Sequence, residues 1–419
     1  MPLLFRNSPY SQVTALAARR AVHVAFSWLH NNPKTIMDWH REVVAIPAPP
    51  FGEHARAEWF VARFKEAGLQ YVEIDEVGNV LATRPAASLP PESTGPVVLL
   101  SAHLDTVFPA DTPLHPRLDN DRLAAPGASD NGAGLAGMLA IAHALTKADV
   151  ILPAPLIFLA NVGEEGEGNL RGVRHLYQQN SLAGRIAAHI VLDGAGSDAV
   201  VTQALGSKRF RVTITGLGRH SFTDAGTPNP IVALASALTS LIESSQPKVS
   251  HTTMNVGTIR GGKSVNSIPE KAHATLDFRS TEPNELIRME VALHRAVEDA
   301  VERTNQAIHH TESANRGPLD FAIEKIGDRP AAELSEDSAL LTTLRAVDRH
   351  LGVRTDLRLG STDANIPLSL GVQALSMGAG GEGGAAHTTA EWFCARNREL
   401  GLRRVLLLTL AMLQWAAER

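Results

Sequence analysis

Five side chains that could bind metal ions are spread along the chain within short polar motifs. His103 lies in SAHLDTV, Asp130 in GASDNGAG, Glu165 in GEEGEG, Asp193 in LDGAG and His387 in AAHTTAE. Two imidazoles and three carboxylates suit two divalent ions about 3.5–4 Å apart that share one carboxylate. Nitrogen and hard oxygen ligands favour zinc, with manganese or cobalt as alternatives.

Two acids beside these residues suggest further roles. Asp105 stands two positions after His103, so on an extended chain both side chains point the same way and Asp105 can accept from the ring. Glu164 is adjacent to Glu165, and a metal ion on one carboxylate with a water on the other would separate their protonation behaviour. Each residue alone also fits an ordinary structural role, such as the N-cap of a helix for Asp130. The combination favours a metal site.

The elements that must position these residues follow an α/β pattern. Short apolar strands alternate with helical patterns, which predicts a mixed, mostly parallel sheet with helices on both faces. The predicted strands are 97–102, 155–160 and 187–192, the helices are 53–67, 131–146, 335–350 and 391–417, and an exposed loop is expected at 85–96. His103, Glu165 and Asp193 lie near the ends of these three strands, where open α/β sheets bind their ligands.

The middle of the chain has a different pattern. It reads β-α-β-β-α-β, the order of a ferredoxin-like α+β domain. The predicted elements are strand 208–216, helix 231–243, strands 252–260 and 271–279, helix 285–305 and strand 308–313. We therefore predict a catalytic domain in two segments, 1–205 and 321–419, with a smaller domain inserted at 206–320.

Composition excludes several classes of protein. The net charge of −5, from 39 basic and 44 acidic residues, gives no general field for nucleic acid or an anionic membrane. A single cysteine, Cys394, excludes a disulfide framework and a zinc finger. The longest apolar run, 405–413, is too short to span a membrane and is predicted to be the buried face of a C-terminal helix. No targeting segment stands out, so a cytoplasmic protein is expected.

A glycine pattern suggests an alternative function, that of a dinucleotide-dependent oxidoreductase. Gly132, Gly134 and Gly137 match the dinucleotide-binding G-x-G-x-x-G. The segment before them is not an apolar strand, and no acidic residue closes the next strand, so the context disfavours an oxidoreductase. The other rival is a non-catalytic binding protein on the same scaffold, which we would expect to lack Glu164 or a metal ligand.

Eight motifs occur in one order over about residues 35–415: HLD, SDNGAG, GEEGEG, LDG, RHS, GGKSVNSIP, DFR and AHTTAE. This order resembles the co-catalytic di-zinc exopeptidase family, which includes aminoacylase, peptidase T, glutamate carboxypeptidase, succinyl-diaminopimelate desuccinylase and acetylornithine deacetylase. The resemblance implies that Asp130 bridges two metal ions. Glu165 and His387 would complete one site, and His103 and Asp193 would complete the other.

The resemblance also implies a reaction, the hydrolysis of an amide bond in a small peptide. Asp105 would orient His103, and Glu164 would take a proton from a water that bridges the two ions. The hydroxide would attack the carbonyl, and Glu164 would return the proton to the leaving amine. GEEGEG, GSTDAN and AHTTAE look most like peptidase T, which favours an aminopeptidase or dipeptidase-like exopeptidase. A deacylase of N-acyl amino acids is the alternative.

The inserted domain would be the family's lid and its usual dimerisation surface, so a homodimer is expected. His220, in GLGRHSF, would stabilise the oxyanion, and in relatives the equivalent histidine comes from the partner subunit. Arg279, in LDFRS, would clamp a substrate carboxylate, with a solvent-facing arginine as the alternative. Asn266 would shape the substrate pocket, and Ser361 and Thr362 lie where relatives place a substrate-binding loop.

Overall fold

The computed structural model describes residues 8–86, 94–246, 248–308 and 317–419. The chain divides into two compact units. The first unit comprises Met1–Ala204 and Glu333–Arg419, and the second comprises Leu205–Ala332. Most of the predicted loop at 85–96, namely 87–93, lies outside the described residues.

The helices and strands are numbered here in chain order. The helices are α1 Pro9–Ala17, α2 Arg20–Asn31, α3 Pro33–Val44, α4 His54–Glu66, α5 Gly132–Lys147, α6 Arg171–Gln179, α7 Pro230–Ser244, α8 Pro283–Ile308, α9 Ala339–Leu351, α10 Asn365–Ser369 and α11 Arg398–Ala417. The strands are β1 Gln70–Ile74, β2 Val80–Arg84, β3 Val97–His103, β4 Arg117–Asp119, β5 Arg122–Ala124, β6 Leu156–Asn161, β7 Ile186–Leu192, β8 Ala199–Ala204, β9 Gly206–Thr215, β10 Arg219–His220, β11 Thr253–Gly261, β12 Ser267–Ile268, β13 Lys271–Ser280, β14 Asp320–Arg329, β15 Ala332–Glu333, β16 Asp356–Gly360, β17 Gln373–Met377, β18 Glu382–Gly384 and β19 Trp392–Cys394.

The central sheet of the first unit runs in the order β1-β2-β6-β3-β7-β17-β8, with β16 also paired to β8. The middle strands β6, β3, β7 and β17 are parallel to one another. Strand β2 runs antiparallel to β6, β1 runs antiparallel to β2, and β8 runs antiparallel to β17. Every residue of β3 and β6 is buried, as expected for strands covered on both faces. Val97 and Leu99 pack with Leu176 of α6, while α5 and α11 also pack against β3. The predicted α/β class is confirmed.

A second, antiparallel sheet of the first unit has the order β18-β19-β5-β4. It corrects one prediction, because the helix expected over 391–417 begins only at Arg398, and Trp392–Cys394 form strand β19. Helix α11 is long and apolar enough to cross a membrane, but 72% of its apolar window is buried inside the protein. That burial is typical of a core helix, as the sequence predicted for this segment.

The second unit is a four-stranded antiparallel sheet in the order β11-β13-β9-β14, packed against α7 and α8. Its core is formed by alternating residues of the strands, such as Phe210, Val212 and Leu276, together with Leu241 and Met289 of the helices. This is the strand order of a ferredoxin-like domain.

The fourth strand of the second unit is not where the sequence predicted it. The prediction placed a strand at 308–313, but α8 extends to Ile308 and residues 309–313 lie outside the described residues. The observed fourth strand is β14, which pairs with β9 from Asp320 to Arg329. The unit therefore runs to Ala332 rather than 320, because β14 completes its sheet.

Candidate active site

Asp130 lies between two imidazoles. Its Oδ1 atom is 3.1 Å from Nε2 of His103, and its Oδ2 atom is 2.9 Å from Nε2 of His387. Oε1 of Glu165 lies 3.1 Å from the same atom of His387, and Oδ1 of Asp193 lies 3.8 Å from Nε2 of His103. The five residues therefore form two groups that could each hold a metal ion, and both groups include Asp130.

The central sheet brings two of these residues, His103 and Asp193, together. His103 is the last residue of β3, and its register partner on the parallel strand β6 is Asn161. Asp193 directly follows β7, the other parallel neighbour of β3. Since parallel strands end at one edge of the sheet, residues that are 90 positions apart in sequence become neighbours.

The side-chain amide of Asn131 connects the start of α5 to the end of β7. Asn131 caps α5 by accepting a hydrogen bond from the Gly134 amide at 3.1 Å, and it donates to the Leu192 carbonyl at 2.9 Å. It also accepts from the Gly194 amide at 3.0 Å. A Cβ atom on Gly134 would lie 2.1 Å from Oδ1 of Asn131 and 2.7 Å from the Leu192 oxygen. This glycine of the G-x-G-x-x-G match therefore serves close packing beside Asp130.

Glu391 stabilises the loop that carries Asp130. The sequence predictions did not include this residue. Its buried carboxylate accepts hydrogen bonds from the amides of Gly127, Ser129 and Asp130 at 2.7–2.9 Å. Its own carbonyl accepts from Ala125 at 3.1 Å, next to the pairing of β19 with β5. The only available signal was that an acid directly precedes the apolar residues of β19.

Asp105 has two contacts that order the site. Its backbone carbonyl lies 3.1 Å from Nδ1 of His103, with the carboxylate at 3.6 Å from the same nitrogen. The carboxylate accepts from the backbone amides of Glu164 at 3.0 Å and Glu165 at 2.7 Å. The buried side chain of Arg56 donates a hydrogen bond to the carbonyl of Leu104, the residue before Asp105, at 2.7 Å. Asp105 thus positions the neighbouring Glu164–Glu165 segment as well as His103.

The electrostatics of the cluster match cations. Burial lowers the pKa of His103, but the nearby carboxylates of Asp105, Asp130 and Asp193 reverse this and raise the pKa well above the ordinary value. The hydrogen bond to Asp130 raises the pKa of His387 to about 9. Burial, followed by the charge of Asp130, raises the pKa of Glu165 to about 7. The carboxylates thus retain protons on the imidazoles, and a divalent cation would replace those protons.

Asp363, beside the predicted substrate loop, is a second residue that the sequence predictions did not assign to the site. It is completely buried, accepts from Nδ2 of Asn161 at 2.7 Å, and its pKa is raised to about 7 by burial. The side chain of Thr362 is also buried and accepts from the Ala364 amide at 3.2 Å within its own turn. Ser361 is half-buried at the start of the same turn.

The second unit places His220 next to Asn266. Strands β10 and β12 pair, and the Asn266 carbonyl accepts from the Ser221 amide at 3.0 Å. Nδ1 of the exposed His220 ring accepts from the backbone amides of Phe222 and Thr223 at 3.2 and 3.3 Å. In the neutral ring the proton therefore resides on Nε2, which makes that atom a hydrogen-bond donor.

Arg279 is on β13 of the four-stranded sheet, whereas His220 is on the two-stranded sheet of β10 and β12. Arg279 is eight residues beyond Lys271 on β13, a separation of about 26 Å along the strand. Its Nε donates to Oδ2 of Asp277 at 2.7 Å. Within one copy of the second unit, Arg279 and His220 are therefore not brought together.

Comparison with known proteins agrees with this geometry. Residues 99–410 match the family described as Peptidase family M20/M25/M40, and the chain belongs to that family. It is 31% identical over 274 residues to a probable carboxypeptidase of Aspergillus clavatus, covering 59% of this chain and 58% of the relative. It is 28% identical over 272 residues to the cytosol non-specific dipeptidase of Escherichia coli, covering 58% and 53%. The chain thus aligns with just over half the length of these two relatives.

Solved structures share the fold over nearly the whole chain. Aminopeptidase PepT from Bacillus cereus superposes with a TM-score of 0.70 at 18% identity, covering 91% of this chain and 99% of that one. A dinuclear metal-binding M20 peptidase from Bacillus subtilis superposes with a TM-score of 0.64 at 15% identity, covering 92% and 99%. At such identities the likeness establishes the fold.

Proposed function

We propose that this protein is a metal-dependent hydrolase of the amide bond in small peptides, an exopeptidase of aminopeptidase or dipeptidase type. The observation that carries the proposal is Asp130, whose two oxygens face two different histidines within two ligand groups. A carboxylate shared in this way is what a pair of divalent ions requires. Membership of a peptidase family supports the same reaction.

The side chains at the site fit two divalent ions. Asp130 would bridge them, with His103 and Asp193 on one side and Glu165 and His387 on the other. Two imidazoles and three carboxylates suit zinc, manganese or cobalt. When bound, such ions would polarise the scissile carbonyl and make a nearby water more acidic.

Glu164 is the proposed proton carrier. Its side chain is buried beside His103 and Glu165, and Asp105 holds its backbone amide. From this place Glu164 would take a proton from the attacking water and give it to the amine that leaves. Asp105 acts as a positioning residue in this scheme, since its contacts are with the backbone and with His103.

His220 and Asn266 are proposed to act on the substrate from the second unit. The Nε2 proton of His220 can be donated to the oxygen on which negative charge develops as the amide carbon is attacked. The Asn266 amide, beside His220, offers a second donor for the substrate. Arg279, Ser361 and Thr362 remain candidates for substrate binding.

Assembly and location belong to the same proposal. Strand β11 is at one edge of the second unit's sheet, and α7 exposes Val232 and Ile242. An edge strand and exposed apolar side chains, both among the described residues of this unit, support a homodimer formed through it. The likeness to a cytosol dipeptidase supports a cytoplasmic location.

The proposal is tested by hydrolysis of di- and tripeptides alongside N-acetyl and N-succinyl amino acids. We expect release of free amino acids from peptides, loss of activity with a chelator, and recovery with zinc, manganese or cobalt. Elemental analysis of the active protein should find up to two metal ions per chain. Full activity in protein without a transition metal would overturn the proposal.

A further inference from the structure

His40 of α3 is completely buried beside the loop that carries Asp130. Its Nε2 atom lies 2.6 Å from the carbonyl oxygen of Ala128, two residues before Asp130. A Cβ atom on Gly132, two residues after Asp130, would lie 2.8 Å from the same nitrogen. The imidazole of His40 therefore packs against the chain on both sides of Asp130.

Arg398, the first residue of α11, determines which nitrogen of His40 carries a proton. Its Nη2 atom forms a buried hydrogen bond with Nδ1 of His40, and its Cζ atom lies 4.1 Å from the ring centre of Phe393. A guanidinium can only donate, so Nδ1 must be the acceptor. Burial, and then the charge of Arg398, hold the pKa of His40 well below its ordinary value, so the ring is neutral. Its one proton therefore resides on Nε2, which donates to the Ala128 carbonyl.

The peptide unit between Ala128 and Ser129 is held at both ends. His40 donates to its carbonyl oxygen at 2.6 Å, and Glu391 accepts from its amide at 2.7 Å. Because the C=O and N–H of a trans peptide point in opposite directions, a donor on one side and an acceptor on the other fix the rotation of this unit. Rotation of this unit would redirect the backbone that leads to Asp130.

We propose that His40 is a positioning residue that orients the carboxylate of Asp130 through the Ala128 carbonyl, and that Arg398 holds His40 in the required tautomer. The inference rests on the proposed function, in which Asp130 bridges two metal ions. The side chain of Asp130 contacts the two imidazoles of the ligand cluster, whereas His40 acts on the backbone of its loop. Loss of a supporting hydrogen bond at a metal site lowers metal affinity by about 10–100-fold.

Two substitutions of His40 separate a positioning role from a merely structural one. The amide nitrogen of glutamine lies about as far from Cα as Nε2 does, whereas that of asparagine lies only about as far as Nδ1. H40Q therefore keeps a donor for Ala128 and H40N loses it, while both replace the buried ring by an amide. The two variants should have similar melting temperatures, so a merely structural role would change their metal affinities together.

Calorimetric titration of the metal-free protein with Zn²⁺ measures the difference. H40Q should bind Zn²⁺ as wild type does, and the Kd of H40N should be at least about tenfold higher. H143N, which changes another buried histidine of the first unit, one that stacks on Trp39, is the matched control and should retain wild-type affinity. Equal Zn²⁺ affinities in H40Q and H40N overturn the inference.

Arg398 provides an independent pair of variants. Nitrogen NMR of metal-free, histidine-labelled protein reports the tautomer, and the signals absent from H40Q belong to His40. Wild type and R398K, which keeps a donor, should carry the proton on Nε2. R398M should place part of the protons on Nδ1 and weaken Zn²⁺ binding as H40N does, because Nε2 then has no proton to donate to the carbonyl. A proton on Nδ1 in wild type overturns the inference.

Failure of the proposed function gives a different result from failure of this inference. If wild type binds Zn²⁺ but cleaves no peptide, the proposed function fails and the Zn²⁺ comparison still decides the role of His40. If wild type binds no Zn²⁺, hydrogen exchange of the Ser129 and Asp130 amides tests the loop alone. Exchange at least about tenfold faster in H40N than in H40Q supports the inference, and equal exchange overturns it.

Discussion

Glu164 and Glu165 are adjacent residues held in place by one carboxylate, yet they have different surroundings. Both backbone amides bond to Asp105, and the Glu165 side chain contacts His387 at 3.1 Å. A residue that directs its carboxylate to an imidazole of the ligand cluster is suited to hold a metal ion. Glu164, whose carboxylate lies near His103 and Glu165, is the proposed proton carrier. The division of roles thus depends on the direction of each side chain rather than on its residue type.

We predict that E164Q and E165Q separate these roles. E164Q should lower kcat by about 10²–10⁴ with metal content near that of wild type, because an amide cannot accept a proton from water. E165Q should lose metal as well as activity, since an amide is a poor ligand. Elemental analysis together with peptide kinetics checks both variants. Indistinguishable metal contents would contradict the assignment.

Metal binding should release protons, and its strength should depend on pH. In the metal-free protein the pKa of His387 is raised to about 9 by Asp130, and the pKa of His103 is raised well above its ordinary value. Both imidazoles are therefore protonated at pH 7 and must lose their protons to bind a metal. We expect metal affinity to fall steadily as pH falls below about 9.

Calorimetry in buffers of different ionisation enthalpy measures this release. At pH 7 about two protons from the imidazoles should leave as two metal ions bind, with a further fraction from Glu165, whose pKa is about 7. H387A should release about one proton fewer. A binding enthalpy that does not vary with the buffer would rule out protonated ligands.

At the scale of elements, the small sheet β18-β19-β5-β4 connects two parts of the site. Its strand β5 leads into the loop that carries Asp130, and β18 and β19 flank His387. Glu391 joins the two by accepting from three amides of that loop. The loop is therefore held by the C-terminal part of the sequence.

We predict that E391A weakens both the fold and the metal site. Removing the carboxylate leaves buried amides without acceptors, each costing about 1–3 kcal/mol, so the free energy of unfolding should fall by several kcal/mol. Metal affinity should fall by about 10–100-fold, as for other supporting residues of metal sites. Denaturant unfolding and metal titration measure the two effects. E382A, on β18, removes a carboxylate that is 42% exposed and 3.6 Å from Arg396; it is the control and should change stability by less than about 1 kcal/mol. A wild-type metal affinity in E391A would show that the loop holds its shape unaided.

At the scale of the whole molecule, the proposed catalytic groups belong to different units. Glu164 and the five ligand residues lie in the first unit, and His220 lies in the second. Catalysis with His220 therefore needs groups from both units, supplied by one chain or by a partner chain. The proposed dimer through the second unit favours the partner.

We predict that H220A lowers kcat by about 10²–10³ with little change in melting temperature or metal content. Mixing inactive H220A with inactive E164Q should restore activity to about a quarter of the wild-type level, because half of the dimers are hybrids with one intact site of two. Kinetics after refolding the mixture, with light scattering for the oligomeric state, provide the test. No recovery would assign His220 to its own chain, and a fully active H220A would make it a structural residue.

The sequence by itself determined much of the fold and pointed to the five candidate ligand residues. Buried strands such as β3 and β6 are continuous apolar runs, which the sequence displays directly. Since parallel strands end at one edge, His103, Glu165 and Asp193 had to approach one another whatever the details of packing. The ferredoxin-like order followed from local periodicity, although its fourth strand was placed too early.

Only the tertiary structure decided the direction of these side chains and the hydrogen bonds that hold them in place. The direction of the two Asp130 oxygens depends on Glu391, which is 261 residues away and bonds to its amide at 2.7 Å. The burial of Asp363 and the distance between Arg279 and His220 likewise depend on chain packing and register. Hydrogen bonds between distant loops produce no periodic pattern of residue types in the sequence. The conformation of a loop is set by the groups it contacts rather than by local propensity.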